Sequence, residues 1–541
     1  MMLSRSRIIL SAVLFCALAA CAGSVRAQDS DYQTAASFVR QGEFDRAFPL
    51  LRRILDRSPN DLKARNLMGI ALSAAGRREE ANEQFKKVLA LEPKFVPALK
   101  NLAVNELSLG QAQDAKIHFE EALKSAPRDA TCHWGLAEIA FAARDFEQAA
   151  ARYEQSGDLA WKDSRAAIKF ATSCLEARQS AKAAALLEKI PATLSEADAN
   201  IQFQAGVLLA RLEKYEAAAR RFELSRQGLP DPYQAPGSYQ APGPYQIGYN
   251  LTLALIRSGD HAAAIRAGRE VLAAGHRKAE IHNLLAQAYE RSGQTKEAYD
   301  ALRSATEIEP QDETNYLDLI ALCLKHENFD LGLEISEIGA RRIPGSHRLR
   351  LHRGVALVMK GQMEEAVKEF QTAGELLTVP EEALPQIALG LALVQMDRQP
   401  EAIALLRRQI ERSPKDPRVF WLLGEALSRS GVQSGSEEEK EAIGALEKSI
   451  QLDPRMPQSR ALLGKMLLRR GAVAQAAEQL EKALELDPED LTATYQLAQA
   501  LQRMGQSARA ERLFAKVSQA KSEKLQPTQR TLMRIIKAGS Q

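Results

Sequence analysis

The 541-residue sequence is poor in cysteine. It has five in all, and three of these, Cys132, Cys174 and Cys323, lie beyond residue 27. A chain that depended on disulfides would carry a denser, even-numbered set. The sequence therefore argues against a disulfide framework, and we predict that these three cysteines are small buried side chains.

The chain also has little net charge. Its 72 Lys and Arg residues face 69 Asp and Glu residues, and 45% of all residues are hydrophobic, which is typical of a globular protein. Residues 1–27 contain Arg5, Arg7 and Arg26 and no acidic residue, so the remainder carries 69 basic and 69 acidic residues. Binding to nucleic acid relies on Lys and Arg that neutralise phosphates. We therefore expect no nucleic-acid partner.

Long apolar runs are absent except near the start, where one spans positions 8–20 after a short cationic stretch. A helix that crosses a bilayer needs about 20 apolar residues, so this run is too short. A cationic stretch followed by a short apolar run is typical of a secretory signal. The sequence therefore predicts an exported protein of the cell envelope, either periplasmic or attached to the outer membrane.

Two cleavage sites are compatible with this signal. Cleavage after Ala27, where residues 25–27 read Val-Arg-Ala, would remove a signal peptide of residues 1–27. Alternatively, the Leu-Ala-Ala-Cys sequence that ends at Cys21 resembles a bacterial lipobox, in which residues 1–20 are removed and the cysteine is lipidated. Two acyl chains on Cys21 would suffice for stable anchoring, and we expect no other contact with a membrane.

Motifs that mark common catalytic sites are missing as well. There is no G-x-x-x-x-G-K-[ST] phosphate loop and no G-x-S-x-G elbow. His326 and Glu327 begin like an HExxH zinc site, but the residue four beyond the histidine is Asp330. Ser518 and Lys521 have S-x-x-K spacing without its companion motifs. We expect no catalytic residue, no metal site and no cofactor, and conclude that the chain is not an enzyme.

What the sequence does contain is a repeat with one fixed period. Small residues recur at this spacing in two series, and aromatic residues and prolines recur with them. The first series is Ala47, Ala81, Ala115, Ala149 and Ala183; the second is Ala35, Gly69, Ala103, Ala137 and Ala171; the aromatics are Phe85, Phe119 and Tyr153, and the prolines Pro59, Pro93 and Pro127. Fourteen repeats begin at residues 28, 62, 96, 130, 164, 199, 245, 279, 313, 347, 383, 417, 457 and 491.

These positions resemble the tetratricopeptide repeat, which has the same order of small, aromatic and proline positions in each helix pair. The resemblance implies an all-α fold, a right-handed superhelical solenoid of about 14 helix-turn-helix repeats. Two antiparallel helices approach closely only where the side chains at their crossing are small. The glycines at the turn between the two helices allow positive φ: Gly42, Gly76, Gly110, Gly293, Gly361, Gly471 and Gly505.

Two segments interrupt the period, and a final segment follows the last repeat. Residues 28–232 hold the first six repeats and residues 245–524 the other eight, separated by a linker of residues 233–244 that is rich in Tyr, Pro and Gly. We interpret it as an extended linker, although a tyrosine-bearing docking strand is an alternative. Residues 431–440 lengthen one turn, with an acidic run that we interpret as a solvated loop. Residues 525–541 carry Leu532, Ile535 and Ile536 and are predicted to cap the last pair.

In the tetratricopeptide family, positions 2, 5, 9 and 12 of the first helices line the concave groove. In this chain these positions give twelve candidate binding residues: Trp134, Phe141, Phe203, Val207, Leu317, Leu324, Leu351, Val355, Val358, Ile387, Leu391 and Val394. So apolar a strip predicts a groove for an amphipathic helix or an extended peptide. The alternative is that the superhelical twist buries these residues between neighbouring first helices.

The resemblance therefore implies an exported, non-enzymatic scaffold that binds peptide or protein segments in the concave groove. The alternative is a structural or assembly accessory lipoprotein of a cell-envelope secretion, pilus or polysaccharide-export machine. Asn66, Lys100 and Asn101 are too loosely arranged to match the Lys, Asn and Arg clamps with which some members of the family bind chaperone tails.

Overall fold

A computed structural model describes residues 28–194, 196–229, 243–378 and 383–519. Over these residues the chain is helical and contains no strand. Residues 1–27, which include Cys21, most of the predicted linker and residues 525–541 lie outside this part of the chain. The chain divides into two compact units, residues 1–276 (unit 1) and 277–541 (unit 2).

The described part of unit 1 contains fifteen helices. They are α1 (Gln28–Gln41), α2 (Phe44–Arg57), α3 (Leu62–Ala74), α4 (Arg78–Leu91), α5 (Val96–Ser108), α6 (Ala112–Ser125), α7 (Ala130–Ala142), α8 (Phe146–Gln155), α9 (Leu159–Lys162), α10 (Ser164–Glu176), α11 (Ser180–Lys189), α12 (Glu196–Arg211), α13 (Tyr215–Gln227), α14 (Pro244–Ser258) and α15 (His261–Ala273). All except the single turn α9 form antiparallel pairs of consecutive helices.

The described part of unit 2 contains fourteen helices, which form seven further pairs. They are α16 (Ala279–Arg291), α17 (Thr295–Ile308), α18 (Glu313–Lys325), α19 (Phe329–Arg342), α20 (His347–Met359), α21 (Met363–Glu375), α22 (Leu384–Gln395), α23 (Gln399–Arg412), α24 (Pro417–Arg429), α25 (Glu437–Leu452), α26 (Pro457–Arg469), α27 (Val473–Leu486), α28 (Leu491–Arg503) and α29 (Ser507–Gln519).

The first helix of each of the fourteen pairs begins within three residues of a predicted repeat start. The prediction of an all-α repeat fold is therefore confirmed. The linker predicted at residues 233–244 is described only at its end, where Gly243 precedes α14 and Pro244 is the first residue of that helix. None of the helices in the described ranges is long and apolar enough to cross a membrane.

The crossings within pairs show why small residues recur. A Cβ atom added to Gly69 on α3 would come within 2.5 Å of the Phe85 ring on α4, and one added to Gly464 would come within 2.6 Å of Leu480. Ala115, at the crossing of α5 and α6, is fully buried. The aromatic or leucine side chain of the second helix therefore fills the space that the small residue of the first helix leaves free.

The turns within pairs require left-handed backbone. Each of the fourteen turns holds at least one residue with φ between 57° and 88°, including all seven glycines predicted there. Five of the turns use another residue type at this position: Arg144, Arg178, Glu213, Glu327 and Asp397. A side chain makes this conformation costly, so these five turns store strain that the glycine turns avoid.

Aspartates start many of the first helices. Asp61, for example, accepts a hydrogen bond at 2.9 Å from the backbone N–H of Ala64, and Asp129 accepts one at 3.1 Å from that of Cys132. Such N-caps satisfy donors that have no partner within the helix. Each of these two aspartates closely follows the proline that ends the preceding helix, so the Pro and Asp of one connection set both helix boundaries.

The prediction of a solvated loop at residues 431–440 is wrong for the acidic run at residues 437–439. This run forms the first turn of α25. Ser436 caps this helix by accepting a hydrogen bond at 3.1 Å from the N–H of Glu439, whose carboxylate in turn accepts one at 2.7 Å from the N–H of Gly435. Carboxylates are favoured in a first helical turn because they face the positive end of the helix dipole.

The three cysteines of the described residues are free and buried, as predicted. Cys132 and Cys174 lie in unit 1 and Cys323 in unit 2. Burial raises the pKa of both Cys174 and Cys323 to about 11, because the thiolate loses its hydration. These thiols are therefore protonated and act as small apolar side chains.

Candidate interaction surface

The structure separates the twelve predicted groove residues into two groups. Eight of them, all on α18, α20 and α22 of unit 2, have between 0% and 6% of their surface exposed. They are Leu317, Leu324, Leu351, Val355, Val358, Ile387, Leu391 and Val394. Helix α18 contacts α20, and α20 contacts α22. In this structure these side chains are core residues, and the interpretation as packing between neighbouring first helices accounts for them.

The other four residues lie in unit 1 and are half-buried. Trp134 and Phe141 belong to α7, and Phe203 and Val207 belong to α12. All four pack against a hydrophobic cluster that includes Phe170. Phe170 belongs to α10, which is the first helix of the pair that lies between α7 and α12 along the chain. We call Trp134, Phe141, Lys169 of α10, Phe203 and Val207 the aromatic surface.

Two rings of the aromatic surface contact other aromatic rings. The centroid of Phe141 lies 5.9 Å from that of Phe146 in an edge-on arrangement. The centroid of Phe203 lies 5.6 Å from that of the buried Phe222. Contacts of this kind fix the orientation of a ring beyond the effect of burial alone. The two phenylalanines therefore present their exposed faces in defined positions.

The Glu138 carboxylate, which is largely shielded from solvent, contacts Lys169 of this surface. Oε1 of Glu138 accepts a hydrogen bond from Tyr153 Oη at 2.6 Å, and Oε2 accepts one from Lys169 Nζ at 2.5 Å. Burial raises the pKa of Tyr153, and the nearby Glu138 charge raises it further. The carboxylate is thus paired within the protein and joins α7 to α10.

Lys169 has donor capacity beyond this ion pair. Its ammonium group lies 5.7 Å from the centroid of the Phe141 ring, and 38% of its side chain is exposed. An ammonium group has three N–H bonds, of which Glu138 uses one. Lys169 could not be predicted from the family's ligand positions, because it lies at position 6 of its repeat. One feature of the sequence points to it. Glu138 occupies position 9 of one repeat, and Lys169 is a long cationic side chain in the next repeat.

The asparagines of the first repeats do not form a carboxylate clamp. Asn101 Nδ2 donates to Asn66 Oδ1 at 3.3 Å, while Lys100 pairs with Asp129 at 2.7 Å. The ammonium group that a bound carboxylate would need is therefore already neutralised. In the described part of the chain, no three His, Cys, Asp or Glu side chains are grouped so that they could hold a metal ion.

Family models match several stretches of the chain. A model described as tetratricopeptide repeat matches residues 38–105 and 255–323, and a second of that description matches residues 100–164. A model described as anaphase-promoting complex, cyclosome, subunit 3 matches residues 436–517. All of these stretches lie within the helical part of the chain described above.

Similarity to curated proteins is confined to a short segment. The peroxisomal targeting signal receptors of Kluyveromyces lactis and Candida glabrata are each 36% identical to this chain over 72 residues. That segment is 13% of this chain and covers 13% and 12% of the two receptors. The chain thus matches only a small part of these relatives.

Solved structures resemble the chain over longer stretches at lower identity. Yeast Tom70 is 17% identical, with a TM-score of 0.38, over 83% of this chain and 97% of Tom70. A chain of the Cut9–Hcn1 hetero-tetramer of the anaphase-promoting complex is 14% identical, with a TM-score of 0.35, over 91% of this chain and 99% of its own. MamA of Desulfovibrio magneticus RS-1 is 24% identical, with a TM-score of 0.28, over 33% and 96%. The fourteen helix pairs and the matching family models show that this chain belongs to the tetratricopeptide repeat family, whose repeats are protein interaction modules.

Proposed function

We propose that this chain is an exported, non-enzymatic scaffold that binds a protein or peptide segment on the aromatic surface of unit 1. Of the twelve residues at ligand-facing positions, those of α18, α20 and α22 are buried, whereas Trp134, Phe141, Phe203 and Val207 keep part of their surface open. Binding requires accessible side chains, so the aromatic surface is the better candidate.

The composition of this surface supports binding of an apolar segment. Aromatic side chains dominate the energy of protein interfaces because each buries a large area while losing few degrees of freedom. Phe141 and Phe203 are already oriented by Phe146 and Phe222, so ordering them on binding would cost little. Lys169 offers hydrogen-bond donors beside the apolar side chains, which would fix the register of the bound segment.

Site-specific photocrosslinking in the native cell envelope tests this function. A photoreactive phenylalanine analogue would replace Phe203 or Trp134 in the full chain. The matched control replaces Ile117, which is 53% exposed on the second helix α6. We expect one discrete crosslinked protein from positions 203 and 134 and none from 117. The same products from all three positions, or none at 203 and 134, would refute the proposal.

Export is the second part of the proposal, and it rests on the apolar run of residues 8–20. Mass spectrometry of the mature N-terminus would distinguish its forms. A chain that begins at Gln28 indicates a soluble exported protein, and a diacylated Cys21 indicates a lipoprotein whose contact with the membrane is the lipid anchor. A chain that retains Met1 in the cytoplasm would show that export is wrong while leaving the aromatic surface untouched.

A further inference from the structure

Lys465, on the first helix α26 of unit 2, differs from the other half-buried lysines of the first helices. In the described part of the chain these others are Lys100 and Lys169, and each is paired with a carboxylate. Lys100 Nζ lies 2.7 Å from Asp129, and Lys169 Nζ lies 2.5 Å from Glu138. Lys465 forms no hydrogen bond or ion pair with a described residue. A charged group that loses part of its hydration is normally paired, so this exception needs a physical reason.

The charges around Lys465 place it in a positive field. Arg469 follows it by one turn on the same face of α26, and Arg429 ends the preceding first helix, α24. The nearby carboxylate of Glu425 accepts a hydrogen bond from Arg429 Nε at 2.6 Å. Burial lowers the pKa of Lys465, Glu425 opposes this effect, and Arg469 and Arg429 add to it. Among these described side chains the positive charges therefore outnumber the single carboxylate.

The next first helix, α28, contacts α26 and adds groups that suit a peptide. Gln499 occupies the same repeat position as Lys465, is half-buried and forms no side-chain hydrogen bond with a described residue. Tyr495 lies one turn earlier on the same face of α28 and is 45% exposed. Its ring centroid lies 5.6 Å from that of Phe514 in an edge-on arrangement, which fixes the orientation of the ring. A free amide and an oriented ring can bind the backbone and the apolar stems of a protein segment.

We propose that unit 2 carries a second binding surface, which takes an acidic protein segment. We call its residues the basic surface: Arg429, Lys465, Arg469, Tyr495 and Gln499. A Glu or Asp side chain of the bound segment would accept hydrogen bonds from the Lys465 ammonium group. Charge complementarity supports this choice of partner, since the basic surface has more positive than negative charges. The inference concerns unit 2 and is independent of the function proposed for the aromatic surface of unit 1.

An acidic peptide probe tests the inference in the full chain. The probe is a labelled hexaglutamate peptide with blocked ends, and a hexaglutamine peptide is its uncharged counterpart. Fluorescence anisotropy would compare the unchanged chain with its Lys465→Met and Lys482→Met variants. Lys482 is the matched control, because its side chain is 46% exposed and already paired with Glu478 on α27. We expect the unchanged chain to prefer hexaglutamate, Lys465→Met to weaken that binding about tenfold, and Lys482→Met to leave it unchanged.

The thermal midpoints of single variants separate a binding role from a structural one. Lys465→Met removes a half-buried charge that has no fixed partner, so we expect the midpoint to rise by about 1–3 °C. Lys169→Met is the opposite case, because it takes the ammonium group away from the Glu138 carboxylate, and it should lower the midpoint. A lower midpoint for Lys465→Met would show that this side chain stabilises the fold, and the inference would be wrong.

Three binding results would also overturn the inference. Equal affinity for hexaglutamate and hexaglutamine would show that the surface does not select carboxylates. Equal losses in Lys465→Met and Lys482→Met would show that the contact is non-specific. Tighter binding of a thymidine oligonucleotide or of phosphatidylglycerol vesicles than of hexaglutamate would show that the surface fits nucleic acid or a membrane instead. None of these results alters the crosslinks expected from positions 134 and 203, so the two proposals fail separately.

Discussion

Arg221 of α13 donates a hydrogen bond from Nη1 to Gln202 Oε1 of α12 at 2.8 Å, and both side chains are buried. The other guanidinium nitrogen, Nη2, donates to the carbonyl oxygens of Leu187 and Ile190, each at 2.8 Å. Gln202 Nε2 donates to Pro191 O at 2.7 Å. The end of α11 and the start of the following connection are thus held by two side chains from the next pair.

Loss of Arg221 should destabilise unit 1. Helix α11 ends at Lys189, and the carbonyl groups at its end have no helical continuation. Replacing Arg221 with methionine removes the guanidinium donor from the carbonyl oxygens of Leu187 and Ile190, of which Leu187 O keeps only the backbone N–H of Ile190 at 3.4 Å. We expect this loss to lower the free energy of unfolding of unit 1 by about 2–3 kcal/mol. Arg220→Met, at the exposed neighbouring position, is the control and should change it by less than about 0.5 kcal/mol in urea titrations. Equal effects of the two substitutions would contradict this role.

Substitutions at two turns of positive φ should change stability in opposite directions. Glu327 has φ of 58° and Gly110 has φ of 79° at equivalent positions. Because only glycine adopts this conformation without strain, Glu327→Gly should stabilise the chain and Gly110→Ala should destabilise it, each by about 1 kcal/mol. Gly444→Ala is the control, since this glycine is inside α25 with nothing within 4 Å of an added Cβ. Its thermal midpoint should rise, because alanine is the better helix former.

The small residue at a helix crossing allows a direct test of the repeat alignment. Ala115 is fully buried between α5 and α6, so Ala115→Arg forces a large charged side chain into the crossing. We expect a loss of at least about 1–3 kcal/mol, measured as a lower thermal midpoint. Gln113→Arg, two residues earlier at an exposed position of α6, should leave the midpoint unchanged. An unaltered midpoint for Ala115→Arg would place the crossing elsewhere.

The contact between His118 and Glu106 should make the stability of the protein depend on pH. His118 Nδ1 lies 2.7 Å from Oε2 of Glu106, which is 4% exposed. The hydrogen bond with Glu106 raises the pKa of His118 above its ordinary value, Asp114 adds to this effect, and desolvation and Lys86 oppose it. The stability that the His118–Glu106 contact contributes is therefore fully present below the pKa of His118 in the unfolded chain, about 6.5. It is lost as the pH rises through the higher pKa of His118 in the folded chain.

This pH dependence should disappear when the imidazole is removed. Urea titrations between pH 5 and pH 9, at about one-unit intervals, would compare the chain with its His118→Gln variant. We expect the difference in unfolding free energy between the two proteins to shrink as the pH rises. A difference that stays constant with pH would mean that the His118 imidazole does not titrate against Glu106.

The periodic part of the fold could be predicted from sequence because spacing alone determines it. The recurrence of Ala115 and its equivalents, and of the turn glycines such as Gly110, located fourteen pairs and their turns. The five strained turns were missed, since Glu327 and its counterparts carry no local signal of positive φ. Likewise, the start of α25 at Glu437 could not be predicted from the sequence. Ser436 can be recognised as the cap of this helix only when the position of the helix is known.

The candidate site was predictable only in part. Position in a repeat tells which face of a helix a residue occupies but not how closely the next first helix approaches, so Val355 and Trp134 looked alike in sequence. The Glu138 carboxylate was also out of reach, because its partners Tyr153 and Lys169 come from other helices at 2.6 Å and 2.5 Å. Contacts of that kind depend on the packing of three helices and not on a spacing within one.

If the aromatic surface binds a protein segment, Trp134 should contribute strongly to the affinity for the partner crosslinked from position 203. Calorimetry would compare the unchanged chain with its Trp134→Ala and Ile117→Ala variants, the latter changing an exposed side chain of α6. We predict that Trp134→Ala weakens binding about 30-fold or more and that Ile117→Ala leaves it unchanged. Equal affinities for all three proteins would show that the partner does not bind the aromatic surface.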